Sequence, residues 1–466
     1  MKWIFGQRLA AIVGLTWKAA FRFRLFIVVA VLLLAAVVGL PLLIKDDGTA
    51  QGFTQILLTY TLSTITALLG LSTLWLACGT LARDIEECQM QMVAVKPVAR
   101  WQIWLGKWLG IMSLNAALLA LSGLSVYVLL QWRSGRLPAE QQKVLRNEVL
   151  VARGSAREES KEKKIDADTD AVLRERLSKA PVASVDLPEV RKQIREQVKA
   201  EYQVVQPGYM RQWEIDLGRD KNALRDRPLQ LRIKFNSADK SPSGTFDGVW
   251  LIGVPQKTRV SRSEVMSLAP DTFHEFEIPA NMFDQNGVLT VTFFNPNNTA
   301  LLFPLEDGLE ALYSKGSFGP NFIRALGIIF CWMGVLAALG LAAASFLSFP
   351  VAAFVALGLL AMALSSGTIS NAVSEGTIMG YNPEATKSSR SPVDLVAIPV
   401  FRAVLEVINL AKGFSPIDSL STGRMITWGQ MGLAFAQIVL LLGGVIGLSG
   451  TIIFTRRELA TAQGSQ

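Results

Sequence analysis

Apolar runs recur along this chain, and a run of about 20 residues, rising 1.5 Å per residue in a helix, crosses a hydrocarbon core of roughly 30 Å. A segment inside hydrocarbon must satisfy its own backbone hydrogen bonds, which leaves helices as the form such runs take. Six are legible: Leu25–Ile44, about Ile56 to Ala82, about Ile103 to Gln131, Phe322–Phe346, Val351–Ser365 and about Met431 to Phe454. The sequence predicts an α-helical membrane protein with six transmembrane helices and a large extracytoplasmic α+β insert. Half of the 466 residues are hydrophobic, in keeping with this class.

Charges at the ends of the runs set the expected orientation. Lys18, Arg22 and Arg24 precede the first run, and Arg456 and Arg457 follow the last. The positive-inside rule puts both termini in the cytoplasm of a multi-pass protein of the cytoplasmic (inner) membrane. The same rule accounts for much of the +8 formal charge, so nucleic acid is not an expected partner and membrane lipid is. The opening MKWIFGQRLAAIVGLTWKAAFRFR is broken by Arg8, Lys18, Arg22 and Arg24 and lacks a cleavage pattern. It reads as an interfacial amphipathic helix, not a signal peptide. A seventh apolar stretch, Val393–Phe414, carries Asp394, Arg402, Glu406 and Lys412. Each central charge costs about 2.5–3.5 kcal/mol on insertion, so an outer-face helix pair, interfacial or re-entrant, is expected there.

The expected organisation is an interfacial helix over 1–24, then 25–132 with three spans and a cytoplasmic helix at 83–100. Charged helical arms occupy 133–205, including helix-like QKVLRNEVLVAR at 142–153 and EVRKQIREQVKAEY at 189–202. The arms either pair as a short coiled coil or stand alone with solvated faces. A period of two takes over in PLQLRIKF (228–235), HEFEIP (274–279) and VLTVTFFN (288–295), separated by the turn strings PSG, QNG and PNN. This predicts an antiparallel β-sandwich at roughly 206–305, within a β domain and linker spanning 206–320. Spans four and five fill 321–367, outer or re-entrant helices 368–427, and the last span with a cytoplasmic tail 428–466.

No catalytic, cofactor or metal set is expected in this chain. The single histidine, His274, sits in an alternating strand without a second histidine to share a metal, and the three cysteines, Cys78, Cys88 and Cys331, lie in or beside apolar runs. Serines lack a histidine base, and no phosphate-binding loop occurs: Leu105-Gly106-Lys107-Trp108 has no Ser or Thr after its lysine. Any ATP and Mg would be bound by another chain.

The most informative stretch is ARDIEECQMQMVAVKPVARWQIWLGKWLG, Ala82 to Gly110, which separates the second and third runs. It leaves the bilayer at Arg83, passes Asp84, Glu86, Glu87, Gln89 and Met90, breaks at Lys96-Pro97, and re-enters through Arg100, Trp101 and Trp104. Tryptophan and arginine suit the membrane interface. The acidic, Met-containing part offers charge and apolar area to a soluble partner, or else is an ordinary loop whose exposed Glu86 and Glu87 support no core. Acidic residues, the Lys96-Pro97-Val98 step, Arg100 and Leu105-Gly106-Lys107 before a span resemble the coupling-helix region of ATP-binding-cassette permeases of the second export class. The ending FTRREL, the six-span plan and the short turn SFP between spans four and five are also similar to that family, closest to its gliding-machinery and copper-enzyme-maturation branches.

The resemblance implies the permease subunit of an ATP-driven ABC export system. A separate ABC ATPase subunit would dock on Glu86, Glu87, Gln89, Met90, Lys96, Pro97 and Arg100. A second permease chain, identical or not, is implied as well. The alternatives are a subunit that transmits force to an extracytoplasmic machine, with an auxiliary extracytoplasmic protein as partner, and a membrane-anchored binding or scaffold protein. In the second run Thr59, Ser63, Thr66, Gly70 and Thr73 share one helix face, which either lines a path between protomers or packs closely on a neighbour. Gly106-x-x-x-Gly110 and Gly443-x-x-x-Gly447 read as packing contacts.

Overall fold

The computed structural model describes residues 2–22, 25–43, 49–87, 98–145, 149–179, 187–239, 241, 243–255, 257–375 and 392–457. Along the chain run helices α1 (Lys2–Arg22), α2 (Leu25–Leu43), α3 (Ala50–Glu86), α4 (Arg100–Ser134) and α5 (Ala139–Val144). Strand β1 (Val151–Ala156) and helices α6 (Glu162–Lys179) and α7 (Leu187–Gln203) follow. Next come β2 (Val204–Val205), β3 (Met210–Asp216), β4 (Leu229–Ile233), β5 (Asn236–Ser237), β6 (Phe246–Ile252) and β7 (Ser261–Arg262). The β region is completed by β8 (Met266–Leu268), β9 (His274–Ile278), β10 (Val288–Phe294), β11 (Leu301–Leu302) and β12 (Leu309–Ser317). The chain then continues through α8 (Phe318–Ala344), α9 (Phe349–Leu364), α10 (Ser366–Glu375), α11 (Pro392–Lys412), α12 (Pro416–Ser421) and α13 (Trp428–Arg456). They make two compact units: a helical one, Met1–Ala152 with Gly316–Gln466, and a mainly β one, Arg153–Lys315.

Among the described residues of the helical unit four helices are long and apolar enough to cross a membrane: Gly52–Glu86, Arg100–Ser134, Phe318–Ala344 and Trp428–Arg456. Two bent pairs, Gly6–Arg22 with Ile27–Leu40 at 69° and Phe349–Leu364 with Ser366–Val373 at 65°, bring the number to six if each pair is one span. The chain is thus a mostly helical protein with four to six candidate membrane-spanning helices and a β insert. The expected fifth span is the weakest: α9 has 16 residues, about 24 Å of helix, short of a full crossing. Val393–Phe414 forms most of one 21-residue helix with Pro399 inside it, where a helix pair was expected.

α3, α4 and α8 build the centre of the bundle. Leu58, Leu62, Ile65 and Leu69 of α3 meet Leu118, Leu119 and Val126 of α4 and Phe322, Ala325 and Ile329 of α8, all buried. Polar side chains close the helix ends. Thr49 caps α3 by accepting from Gly52 N at 3.0 Å, and Thr427 and Gln430 form a reciprocal capping box at the start of α13. Buried Asn321 bridges α8 to the segment before α13, donating to Arg424 O at 2.9 Å and accepting from Ile426 N at 2.7 Å.

The β unit holds a four-stranded sheet in the order β1-β12-β4-β9 and a five-stranded one in the order β3-β10-β6-β7 with β8 on β6. Alternation works as expected in β4, where Leu229, Leu231 and Ile233 enter a core with Trp213, Trp250, Phe293 and Phe303. Helices α6 and α7 pair antiparallel over Ile165, Leu173, Ile194 and Val198, with Arg195 on Asp166 at 2.9 Å and Arg191 on Asp170 at 3.0 Å. The helix expected at 142–153 is not continuous: after α5 the residues Val151–Ala156 form β1, held by β12 at the edge of the four-stranded sheet.

Candidate functional site

The stretch singled out by the sequence joins α3 to α4. Gln89, Met90, Lys96 and Pro97, with Cys88, lie outside the described residues. Its two roots are described, and both are tied to the ends of other helices.

At the first root, Glu86 Oε1 accepts a hydrogen bond from Phe349 N at 2.8 Å. The carboxylate thereby satisfies one of the N–H groups that the first turn of α9 leaves without a partner, and its charge favours that end of the helix dipole. The Phe349 ring lies 4.4 Å from the Arg83 guanidinium and meets Trp75 edge-on at 5.1 Å. Gly79 makes room for it, since a Cβ there would sit 3.4 Å from the ring. Glu86 is exposed, as expected, yet it has a structural partner that sequence reading did not supply. Glu87 is exposed too, and its N–H closes the end of α3 by donating to Arg83 O at 2.8 Å.

Arg100 forms the second root. Its Nη1 lies 3.2 Å from Phe454 O, 2.8 Å from Thr455 O and 2.7 Å from Arg457 O, so the guanidinium covers carbonyls at the end of α13. These are groups that a helix C-terminus leaves without partners. Arg457 in turn donates from Nη1 to Ser345 O at 3.1 Å, just past the end of α8. A connected set of bonds therefore runs from the start of α4 to the ends of α13 and α8.

Below both roots, α3 and α4 are clamped by an ion pair. Lys107 Nζ donates to Asp84 Oδ2 at 2.5 Å and to Thr80 O at 2.7 Å, and Lys107 is only 6% exposed. An ammonium so covered requires a partner, and these two acceptors supply it. In sequence Lys107 reads as part of the Leu105-Gly106-Lys107 string and not as a clamp. The available signal was a lone lysine set within an apolar run.

The glycines around it are packing positions. A Cβ on Gly106 would lie 2.8 Å from Ile12, and one on Gly110 2.7 Å from Thr16, so α1 sits directly against the α4 backbone. Trp17 Nε1 secures that contact by donating to Ser113 Oγ at 2.7 Å. In α13 the close approaches are at Gly447, where a Cβ would lie 2.9 Å from Trp104, and at Gly450, 2.8 Å from the Ala342 backbone. Gly443 of the expected Gly443-x-x-x-Gly447 pair has only ordinary contacts, so the notch is shifted by one turn.

The hydroxylated face of α3 divides along its length. Thr73 is buried, donating to Leu69 O at 2.6 Å and lying 3.1 Å from Asn115 Oδ1, while a Cβ on Gly70 would press on Leu336 at 3.3 Å. These two positions are packing. Thr59 and Thr66 are half-buried and Ser63 is exposed, and Thr66 Oγ1 has no hydrogen-bond partner among the described residues. His274 is engaged within the β unit, its Nε2 lying 2.9 Å from Thr272 Oγ1 and 2.7 Å from Ala269 O. Among the described residues no His, Cys, Asp and Glu group is arranged to hold a metal ion. Comparison with protein-family models, curated proteins and solved structures finds no match to this chain.

Proposed function

We propose that this chain is the membrane-spanning permease subunit of an ATP-driven ABC export system, with ATP and Mg bound by a separate ATPase subunit that docks on the 86–98 stretch. A second permease chain completes the assembly. The observation that carries this reading is the double rooting of the stretch: Glu86 holds the start of α9, and Arg100 holds the end of α13. A displacement imposed between these roots would reach two further helices through charge-assisted bonds without first deforming the apolar core. A simple loop between two spans requires no such ties. On this proposal the segment faces the cytoplasm and the β unit lies on the opposite side.

The test separates docking from structural support. In Glu86→Gln/Glu87→Gln both negative charges disappear, while the amide that replaces the Glu86 carboxylate retains an oxygen acceptor for Phe349 N. The variant should keep its thermal unfolding temperature in detergent but lose co-purification with the ATPase from the native membrane. Undiminished co-purification together with undiminished ATP hydrolysis would refute docking through these charges.

A further inference from the structure

One end of the β-sandwich carries a cationic depression unrelated to the roots of the 88–97 segment. The connections β3–β4, β6–β7 and β9–β10 meet there, at the end marked by the paired residues Val288↔Asp216, Val291↔Ile252 and Leu229↔Ile278. They enclose a cavity of about 570 Å³ whose lining includes Arg225, Lys257 and Arg259. Among the described residues no carboxylate lines it. All three cations are exposed, and none has an ion-pair partner among the described residues. Two cations elsewhere in this unit, by contrast, are matched: Lys234 meets Asp307 at 3.2 Å and Lys315 meets Asp220 at 2.5 Å.

Hydrogen bonds tie these connections internally or to one another. In the β6–β7 loop Thr258 Oγ1 accepts from Val254 N at 2.8 Å and donates to Arg259 O at 3.0 Å. Gly253, with φ +94°, makes the turn: a Cβ there would lie 2.1 Å from Arg259 O. In the β9–β10 loop Asp284 Oδ1 accepts from Val288 N at 2.8 Å, and the Phe283 ring is buried as the floor. Lys221 Nζ joins the β3–β4 connection to that loop by donating to Gln285 O at 3.2 Å. Asn281 holds a left-handed φ of 61°, and Asn281 and Gln285, both exposed, belong to the lining of the depression. Loops gathered at one end of a sandwich are a common way of presenting binding groups.

We propose that this depression binds a hydroxylated anion of sugar size, carrying a carboxylate or a phosphate. Three uncompensated cations select negative charge. Two exposed side-chain amides in the lining, each offering both donors and an acceptor, suit hydroxyl groups. The volume falls within the range of small-molecule sites, about 300–1,000 Å³.

Full-length protein in phosphatidylcholine nanodiscs would be titrated calorimetrically with glucuronate, glucose 6-phosphate and uncharged glucose. At least one charged sugar should bind tenfold or more tightly than glucose, and which one does so assigns the anion. Lys257→Gln/Arg259→Gln should lose that preference while unfolding at the wild-type temperature, and Lys163→Gln/Lys164→Gln on α6 should keep it. Charged sugars that bind no better than glucose, or equally well to the Lys257→Gln/Arg259→Gln protein, would overturn the proposal.

Discussion

Replacing Arg100 with alanine tests how firmly the end of α13 is held. Its Nη1 carries two hydrogens, so at most two of the three carbonyls within 3.2 Å are served at full strength. A hydrogen bond to a charged group contributes about 1.5–3 kcal/mol, and the guanidinium is half-exposed, which favours the low end. Water can replace part of what is lost, so a local cost of about 2 kcal/mol follows, carried by the last turn of α13 and not by the whole bundle. Hydrogen exchange in detergent reads this directly. Amides of Thr455, Arg456 and Arg457 should exchange roughly thirtyfold faster in Arg100→Ala, since 1.4 kcal/mol is tenfold. Amides around buried Leu118 should be unchanged. Arg100→Lys keeps the charge without the planar fork and should fall between the two. Exchange at Thr455–Arg457 within threefold of wild type would refute the view that Arg100 secures this helix end.

Lys107→Met leaves Asp84 without its ammonium and should destabilise the bundle by about 2–3 kcal/mol, at or below the lower end for a broken buried pair because Asp84 is about one-third exposed; Asp84→Asn/Lys107→Met should recover most of that loss in thermal unfolding. Gly110→Val places a side chain where Thr16 lies 2.7 Å from a Cβ. It should release α1, seen as a change in Trp17 fluorescence and faster proteolysis before Arg22. In the β unit, burial raises the Glu275 pKa but Arg153 and Arg232 outweigh it and hold the carboxyl below its ordinary 4.5, while Lys315 and Tyr313 hold Asp220 below 3.8. Both contributions are present above those ordinary values and are lost as pH falls through the lower folded-state values, so tryptophan fluorescence should report loosening of this unit below about pH 4. Burial, with the bond to Asp220, pushes the Tyr313 hydroxyl up to about 12 from 10.0. That contribution is complete below pH 10.0 and disappears as pH rises through about 12, which tyrosinate absorbance would follow.

Periodicity made the long helices and the central strands legible, because α3, α4, α8, β4 and β10 each carry their pattern within one segment. What escaped depends on partners distant in sequence. Val151–Ala156 reads as the tail of a charged helix until β12 is beside it. Arg232 looks like the solvent-facing member of an alternating strand, yet it is 2% exposed because register sets Glu275 on one side and Glu310 on the other. Its guanidinium meets Glu275 at 2.5 Å and Glu310 at 3.2 Å, so the outer face of this sheet is closed by a charge lattice instead of water. In the connection between α3 and α4 the residue types were legible, but the acceptor role of Glu86 was not, since Phe349 is 263 positions away. Alternating patterns record which face a side chain occupies and say nothing of what covers that face.

The neighbouring positions of β1 and β12 have a consequence for how such a chain can arise. The first strand of the β unit and its last are hydrogen-bonded to each other, so the segment begins and ends at one place. Such a segment is self-closing: it can be spliced between two helices of a host without requiring them to move apart, and removed again with only a short connector left behind. A gene encoding the helices alone and a gene carrying the extra segment could then be separated by a single insertion event. Lineages could exchange what the sandwich presents while leaving the helical host unaltered.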